Sequence, residues 1–226
     1  MVPHQGFTIQ DEDDTAYARE LEEKMDTLWQ ETRSQRAAWH QAEAELMAEL
    51  AHGQHPKVLY IGCSDSRILP SRILGAKPGD VFVTRNIANL VPDYAAAQAG
   101  ETAVAAVLEY AVLHLKVEHI VLCGHSACGG MQALSHAHHL EPGLKAWLRH
   151  AEPALARAGA TADLDALIEA NVLVQLAHLR SYPFIAEAEQ AGRLQLHGWV
   201  YDFVSGRVRV YDAEHGCFSE EADFTA

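Results

Sequence analysis

Two short segments of this 226-residue sequence contain residues that bind metals and move protons. The first is Cys63-Ser-Asp65-Ser-Arg67, and the second is His125-Ser-Ala-Cys128. Two thiolates and one imidazole are typical zinc ligands, and a site with three protein ligands keeps a fourth position open for chemistry. The residue types therefore predict a catalytic zinc site formed by Cys63, His125 and Cys128.

The spacing of these residues requires that the fold assemble the site. His125 follows Cys63 by 62 positions, which is far longer than the spacing of a local zinc finger. Taken singly, the residues have simpler interpretations. A cysteine is often an ordinary core residue, and an Asp and an Arg two positions apart, such as Asp65 and Arg67, are usually an exposed pair of little energetic consequence. The occurrence of all five residues together, each segment at the end of a predicted strand described below, favours the metal site over these simpler interpretations.

Each of the two segments follows a short apolar run that is typical of a buried strand. The runs VLYIG, from residue 58, and HIVLCG, from residue 119, each end in a polar turn that contains glycine. The pattern along the rest of the chain predicts a strand at 81–84, helices at 100–116 and 128–136, further helices to about Gly192, and two last strands at 194–201 and 208–211.

This alternation of strands and helices predicts an α/β fold, with a mostly parallel central β-sheet flanked by helices. Ligands of open parallel sheets bind in the crevice beyond the carboxyl ends of the strands. Because Cys63 and His125 each follow a predicted strand, we expect the fold to bring them together at that edge, with Cys128 close by.

An N-terminal helical extension is predicted for residues 14–51, before a domain of residues 52–226 that contains the zinc site. Helix-forming residues dominate the extension, and apolar side chains recur at helical spacing, as in Leu21, Met25 and Leu28. The pattern fits one long helix or two consecutive helices. The extension has no hydrophobic partner within itself, so it should pack on the main domain or on a second subunit. Residues 1–13 are polar and are expected to be disordered or loosely attached.

The composition excludes several classes of function. The net charge of −14, with only 17 Lys and Arg residues, argues against nucleic acid as a partner. No apolar run approaches the roughly 20 residues that span a bilayer, so no membrane association is expected. The first residues do not resemble a targeting peptide. We therefore predict a cytoplasmic location, where cysteines are more often metal ligands than disulfides.

The sequence resembles the β-carbonic anhydrases. The two segments described above match the zinc signature of that family, and the similarity extends from about residue 53 to residue 211. The resemblance is nearest to the plant-type branch, whose site is open. It implies a Zn2+ enzyme that reversibly hydrates carbon dioxide to bicarbonate and a proton, by attack of zinc-bound hydroxide on CO2. It also implies a homodimer or a higher oligomer built from dimers.

The resemblance assigns roles to the residues around the metal. Asp65 would accept a hydrogen bond from the zinc hydroxide and so turn an oxygen lone pair toward CO2, and Arg67 would hold Asp65 ionised and away from the metal. In a closed form Asp65 would itself bind zinc. The family also has an apolar substrate pocket, and the matching residues here are Gln54, Phe82, Ile87, Tyr110 and the backbone of Gly129.

A regulated bacterial branch of the family holds an inhibitory bicarbonate with a Trp, an Arg and a Tyr. This sequence has Arg85 and Tyr201 at two of those positions, but it has Tyr60 where the Trp would be. We therefore expect an open site without that bicarbonate switch.

Two alternative functions are compatible with the same residues. Relatives of this fold hydrolyse carbonyl sulfide or carbon disulfide, which are analogues of CO2, and the motif residues do not separate that activity from CO2 hydration. A non-catalytic protein would instead use zinc to stabilise an oligomer or to sense redox state through its thiolates. The Asp65/Arg67 pair disfavours this second alternative.

Overall fold

The computed structural model describes residues 11–135 and 140–220, with side chains from residue 19 onward. The chain separates into two compact units, which divide between Gly53 and Gln54. The loose segment predicted for residues 1–13 lies largely outside the described residues.

The first unit contains two consecutive helices, α1 (Asp11–Ala42) and α2 (Ala44–Leu50). Ala and Glu are the most frequent residue types in α1, and Ala, Glu and Leu are the most frequent in α2; all three are strong helix formers. Five large apolar side chains of α1 remain 44–53% exposed; they are Leu21, Met25, Leu28, Trp29 and Trp39. The unit therefore leaves a large part of its apolar surface in contact with solvent.

The second unit is built on a six-stranded sheet with the strand order β2-β1-β3-β4-β5-β6. Its strands are β1 (Val58–Cys63), β2 (Val81–Asn86), β3 (His119–His125), β4 (Gln195–Tyr201), β5 (Val208–Asp212) and β6 (Cys217–Glu220). Strands β2, β1, β3 and β4 pair in parallel, whereas β5 and β6 pair antiparallel. This sheet confirms the predicted α/β fold. Strand β6 was not predicted, because its four residues contain only one large apolar side chain.

Helices flank the sheet and connect its strands. They are α3 (Pro70–Leu74), α4 (Tyr94–Gln98), α5 (Thr102–Glu109), α6 (Gly129–Leu134), α7 (Pro142–Leu148), α8 (Glu152–Ala158), α9 (Leu164–Arg180) and α10 (Pro183–Gln190). Helix α5 continues as a π-helical turn to Leu115, so the helix predicted at 100–116 is present in two forms. Within the described ranges, no helix is long and apolar enough to cross a membrane.

The two faces of the sheet bury different clusters of side chains. Successive side chains of a strand point to opposite faces. Leu59 and Ile61 therefore join the large core that the helices complete. Tyr60 points the other way and forms a smaller cluster with Val121 and Cys123.

Helix α9 packs against β3 and β4, and a glycine on each strand allows its close approach. A Cβ atom at Gly124 would lie 3.0 Å from the Val172 side chain. A Cβ atom at Gly198 would lie 2.9 Å from the side chains of both Val172 and Leu176. Because β3 ends at His125, the packing of α9 also helps to position one of the predicted zinc ligands.

We expect Gly198→Ala to lower the free energy of unfolding by about 1–3 kcal/mol, because overpacking a dense core forces side chains or backbone to shift. Gly143→Ala on α7 is the matched control, since a Cβ atom there meets no atom of the described residues within 4 Å, and it should be neutral or slightly stabilising. Urea unfolding of both variants measures the difference. Equal unfolding midpoints would contradict the close packing of α9 on β4.

Candidate metal centre

The three predicted zinc ligands come together at the carboxyl ends of two adjacent parallel strands. Cys63 is the last residue of β1, and His125 is the last residue of β3. Cys128 immediately precedes α6. The ligand atoms of the three residues lie within 4.8 Å of one another, and all three residues are buried. In the part of the chain that the structure describes, no other group of three such side chains is placed to hold a metal ion.

The protonation of His125 fits a metal ligand. Its Nδ1 lies 2.9 Å from the carbonyl oxygen of Ser126. A carbonyl only accepts hydrogen bonds, so Nδ1 donates and Nε2 keeps its lone pair. Nε2 is buried and has no hydrogen-bond partner among the described residues. A cation between this nitrogen and two sulfur atoms would satisfy it, and zinc prefers this set of donors.

The two sulfur atoms compete for one proton. A hydrogen bond from Cys128 lowers the pKa of Cys63 to about 4, and the neighbouring His125 side chain and the N–H groups of Asp65 and Ala88 act in the same direction, against the effect of burial. The pKa of Cys128 is raised, because its thiol donates to Cys63 and because it is buried. These shifts favour a Cys63 thiolate that accepts a hydrogen bond from a protonated Cys128.

Asp65 lies beside these ligands and is held by Arg67. The Arg67 Nε donates to Asp65 Oδ1 at 2.9 Å, and Nη2 donates to Oδ2 at 2.7 Å. The backbone N–H of Arg67 also donates to Oδ1, at 2.9 Å. The Arg67 hydrogen bonds hold the pKa of Asp65 well below its usual range. The Oδ2 atom is 3.9 Å from His125 Nε2, so an ionised carboxylate adjoins the metal ligands.

Arg85 on β2 holds the backbone on both sides of Ser64. Its Nε donates to the Cys63 carbonyl at 2.8 Å, and its Nη2 donates to the Asp65 carbonyl at 2.7 Å. The Ser64 N–H donates to the Asn86 carbonyl at 2.9 Å, which extends the pairing of β1 with β2. Arg85 therefore positions the loop that carries one metal ligand and the neighbouring carboxylate. The sequence identified Arg85 only by its match to the bicarbonate-binding Arg of the regulated branch.

Tyr60 is a core residue on the second face of the sheet. Its ring lies over Gly62, so that a Cβ atom at Gly62 would collide with the ring. The side chain is fully buried, and burial raises the pKa of its hydroxyl. Burial also raises the pKa of the neighbouring Cys123 to about 12. Both groups therefore stay neutral at physiological pH.

A strained segment beside the metal ligands is held by a buried polar network. Ala88 and Asn89 have φ angles of 62° and 50°, which L side chains rarely adopt. The Asn171 side chain donates to the Ala88 carbonyl at 3.1 Å. Gln175 accepts from the Val91 N–H at 2.8 Å and donates to Asn171 at 3.0 Å. Both amides are buried on α9.

Sequence reasoning did not find Asn171 and Gln175. They lie four positions apart on a helix whose neighbouring residues are mostly apolar. Buried polar side chains are almost always hydrogen-bonded for a structural reason. An amide pair on an otherwise buried helix was therefore the signal that could have identified this network.

The structure brings together two of the predicted substrate residues, Phe82 and Tyr110. Their ring centroids are 5.7 Å apart. The Tyr110 side chain is 46% exposed. Gln54 lies exposed between α2 and β1, and among the described residues no hydrogen bond joins it to this pair.

Ile87 and Gly129 lie close to the metal ligands. Gly129 begins α6 and follows Cys128 directly. Ile87 lies against the next glycine, because a Cβ atom at Gly130 would be 2.9 Å from the Ile87 Cγ2. Ile87 is 41% exposed, so the apolar wall that it forms is open to solvent in a single chain.

The fold and the site define an α/β protein with a candidate metal site, in which strand ends supply three possible ligands and a carboxylate lies beside them. The family model for carbonic anhydrase matches residues 58–208. A carbonic anhydrase of Pseudomonas aeruginosa is 46% identical over 188 residues, which cover 80% of this chain and 84% of that relative.

This chain is also similar to solved structures of β-carbonic anhydrases. The β-carbonic anhydrase CcaA has a TM-score of 0.79 and 36% identity, with 87% of this chain and 99% of that chain covered. A structure from a study of two tetrameric β-carbonic anhydrases of Sordaria macrospora has a TM-score of 0.74 and 34% identity, with the same coverage. The chain therefore belongs to the β-carbonic anhydrase family and is an enzyme of that family.

Binding of zinc should release about one proton per metal ion at about pH 7. Cys63, with its pKa of about 4, is already a thiolate, whereas Cys128 keeps its proton until the metal replaces it. Two ordinary thiols, with pKa values of about 8.5, would release about two protons. Titration calorimetry in buffers of different ionisation enthalpy counts the protons. Cys217→Ser, at an exposed cysteine, should give the same count, and a release of two protons would disprove the shared proton.

Proposed function

We propose that this chain catalyses the reversible hydration of carbon dioxide to bicarbonate and a proton, with Zn2+ held by Cys63, His125 and Cys128. The observation that carries the proposal is the position of Asp65, whose Oδ2 lies 3.9 Å from His125 Nε2 while Arg67 engages both carboxylate oxygens. When bound, zinc lowers the pKa of a water molecule and so supplies the nucleophile.

Asp65 orients the attacking water in this proposal, by accepting a hydrogen bond from it. A carboxylate can do this only while it is ionised and free of the metal. Arg67 provides for both conditions, because its hydrogen bonds lower the pKa of Asp65 and turn the carboxylate toward the guanidinium. Lys could not replace it, since two parallel hydrogen bonds require the planar fork of Arg.

The substrate pocket in this proposal is small and apolar, as CO2 requires. Phe82, Ile87 and Tyr110 provide its walls, while the Gln54 amide and the Gly129 N–H orient oxygen atoms. The exposure of Ile87 and Tyr110, at 41% and 46%, means that another surface must cover the pocket to keep it dry. A second copy of the chain is the cover that we propose.

We infer that the resting site is open, as in the plant-type branch that the sequence resembles. The bidentate contact between Asp65 and Arg67 supports this. The buried Tyr60, in the position of the Trp of the regulated branch, supports it further, because its hydroxyl is enclosed in the core. A closed form, with Asp65 on the metal, would first require Arg67 to release the carboxylate.

We propose a homodimer, or a higher oligomer built from dimers, in the cytoplasm. The exposed apolar side chains of α1 need a partner surface. The free cysteines of the chain suit a reducing compartment. One structural relative is described as tetrameric, which is consistent with assembly through such a surface.

Stopped-flow hydration of CO2 between pH 6 and 9, with zinc content measured on the same sample, tests the proposed reaction. We expect turnover to rise toward alkaline pH, because two thiolates cancel the metal's charge and leave the activated water a weaker acid than in a three-histidine site. Cys63→Ser should reduce turnover by at least about 100-fold, since it removes a ligand.

The outcomes of this experiment separate the alternatives. A flat profile from pH 6 to 9 would contradict the argument from thiolate charge. Zinc-loaded protein that is no faster than Cys63→Ser would leave the non-catalytic zinc protein as the better interpretation. Release of sulfide from carbonyl sulfide or carbon disulfide at a higher kcat/KM than CO2 hydration would favour the hydrolase.

Leu28→Glu should weaken self-association by at least about tenfold, because it places a charge in the apolar stripe of α1 that a second copy would bury. Gln30→Glu is the matched control, since it adds the same charge two positions away on the opposite side of the helix. Sedimentation velocity over a range of concentrations measures both variants. Equal self-association of the two variants would exclude the exposed apolar side chains of α1 as the contact between two copies of the chain.

A further inference from the structure

The turn between β4 and β5 is held by the side chain of Asp202. Its Oδ1 accepts from the Val204 N–H at 3.0 Å, and its Oδ2 accepts from the Ser205 hydroxyl at 2.6 Å. The Gly206 N–H donates to the Asp202 carbonyl at 2.8 Å, and the Asp202 N–H donates to the Arg207 carbonyl at 2.9 Å. The turn is therefore well ordered, although much of it is exposed.

Ser126 joins this turn to the loop that carries the metal ligands. Its hydroxyl donates to Asp202 Oδ1 at 3.0 Å and accepts from the Phe203 N–H at 3.4 Å. Its own N–H donates to the Tyr201 carbonyl at 2.9 Å. Because Ser126 directly follows His125, these bonds fix the backbone of Phe203 relative to a metal ligand.

The ring of Phe203 lies on the guanidinium group of Arg67. The Arg67 Cζ is 4.2 Å from the ring centroid, which is within the range of a cation–π contact. The edge of the same guanidinium group donates to Asp65, at 2.9 and 2.7 Å, and to the Ala127 carbonyl, at 3.2 Å. Oxygen atoms thus hold the edge of the group, and an aromatic ring covers one face.

We propose that Phe203 is a positioning residue for the reaction, and that its ring holds Arg67 in the geometry that keeps Asp65 off the metal. The catalytic meaning of this inference rests on the proposed function, whereas the contact between ring and guanidinium can be tested without any substrate. Phe203 lies far along the chain from both metal-binding segments, so this role links the β4–β5 turn to the site.

The exposure of Arg67 explains why such a residue is needed. The Arg67 side chain is 46% exposed, whereas the Asp65 side chain is 15% exposed. An ion pair with an exposed partner is weak, because the long side chain gives up rotamer freedom to keep a single geometry. The Phe203 ring, 4.2 Å from Arg67 Cζ, blocks movement of the guanidinium group toward that face. Without it, Asp65 Oδ2 would be released more often, at 3.9 Å from His125 Nε2.

Substitutions of Phe203 distinguish a contact that needs an aromatic ring from one that needs only an apolar side chain of similar size. Phe203→Ala removes the side chain, Phe203→Leu keeps apolar volume without a π face, and Phe203→Tyr and Phe203→Trp keep an aromatic ring. Val204→Ala is the matched control, because Val204 is next in the same turn and is 83% exposed.

Two measurements report on the positioning itself. NMR relaxation gives the order of the Arg67 Nε–H group, whose signal is assigned by its loss in Arg67→Lys. The visible spectrum of the cobalt-loaded protein reports the ligands of the metal, and Arg67→Ala supplies the reference spectrum for a released Asp65.

We expect the order of the Arg67 Nε–H group to fall in Phe203→Ala and Phe203→Leu, and to persist in the Tyr, Trp and Val204→Ala variants. The cobalt spectrum of Phe203→Ala should shift toward that of Arg67→Ala, and kcat should fall about twofold to fivefold at unchanged zinc content. Unchanged Arg67 order in Phe203→Ala, or full retention of that order in Phe203→Leu, would refute the proposal. A wild-type protein that does not hydrate CO2 would refute the proposed function and leave the order measurement valid.

Discussion

Two sulfur atoms and an imidazole nitrogen are buried within 4.8 Å of one another, and the second unit is arranged around this constraint. Thiolates away from water are unfavourable unless hydrogen bonds or a cation compensate for the lost solvation. Hydrogen bonds supply part of this compensation. Cys63 receives a hydrogen bond from Cys128 and from two backbone N–H groups. Cys128 in turn faces the N–H groups of Gly130 and Met131 at the start of α6.

One of the hydrogen bonds that stabilise the Cys63 thiolate comes from a backbone segment whose conformation is unfavourable in free energy. The Ala88 N–H reaches the sulfur from a segment with positive φ angles, and such angles cost on the order of 1–3 kcal/mol for each residue. Asn171 donates to the carbonyl of the strained Ala88, and Gln175 accepts from the Val91 N–H just beyond it, so both amides help to hold this conformation. Helix α9 therefore affects the metal centre twice, through its packing on β3 and through its amides.

The sequence predicted most of what is periodic or local. Alternating strands and helices gave the α/β fold, and two motifs at strand ends gave Cys63, His125 and Cys128. The structure brings these three residues together. Contacts between distant segments produce no periodic pattern in the sequence. The sequence therefore did not predict the hydrogen bonds of Arg85 to the backbone around Ser64, the amides of α9 or the contact of Phe203 with Arg67. Strand β6 was missed for a different reason, since a four-residue edge strand has little apolar content to detect.

The hydrogen bonds of Asp65 show which of its oxygens would move in a closed form. Oδ1 accepts both from the backbone N–H and from Nε of Arg67, so movement of the Arg67 side chain removes only one of its bonds. Among the described residues, Oδ2 accepts only from Nη2, and it is the oxygen that lies 3.9 Å from His125 Nε2. Nη2 is also the nitrogen that donates to the Ala127 carbonyl. In the proposed open site, a single guanidinium nitrogen therefore holds Oδ2 away from the metal ligands, and any contact that stabilises this nitrogen supports that arrangement.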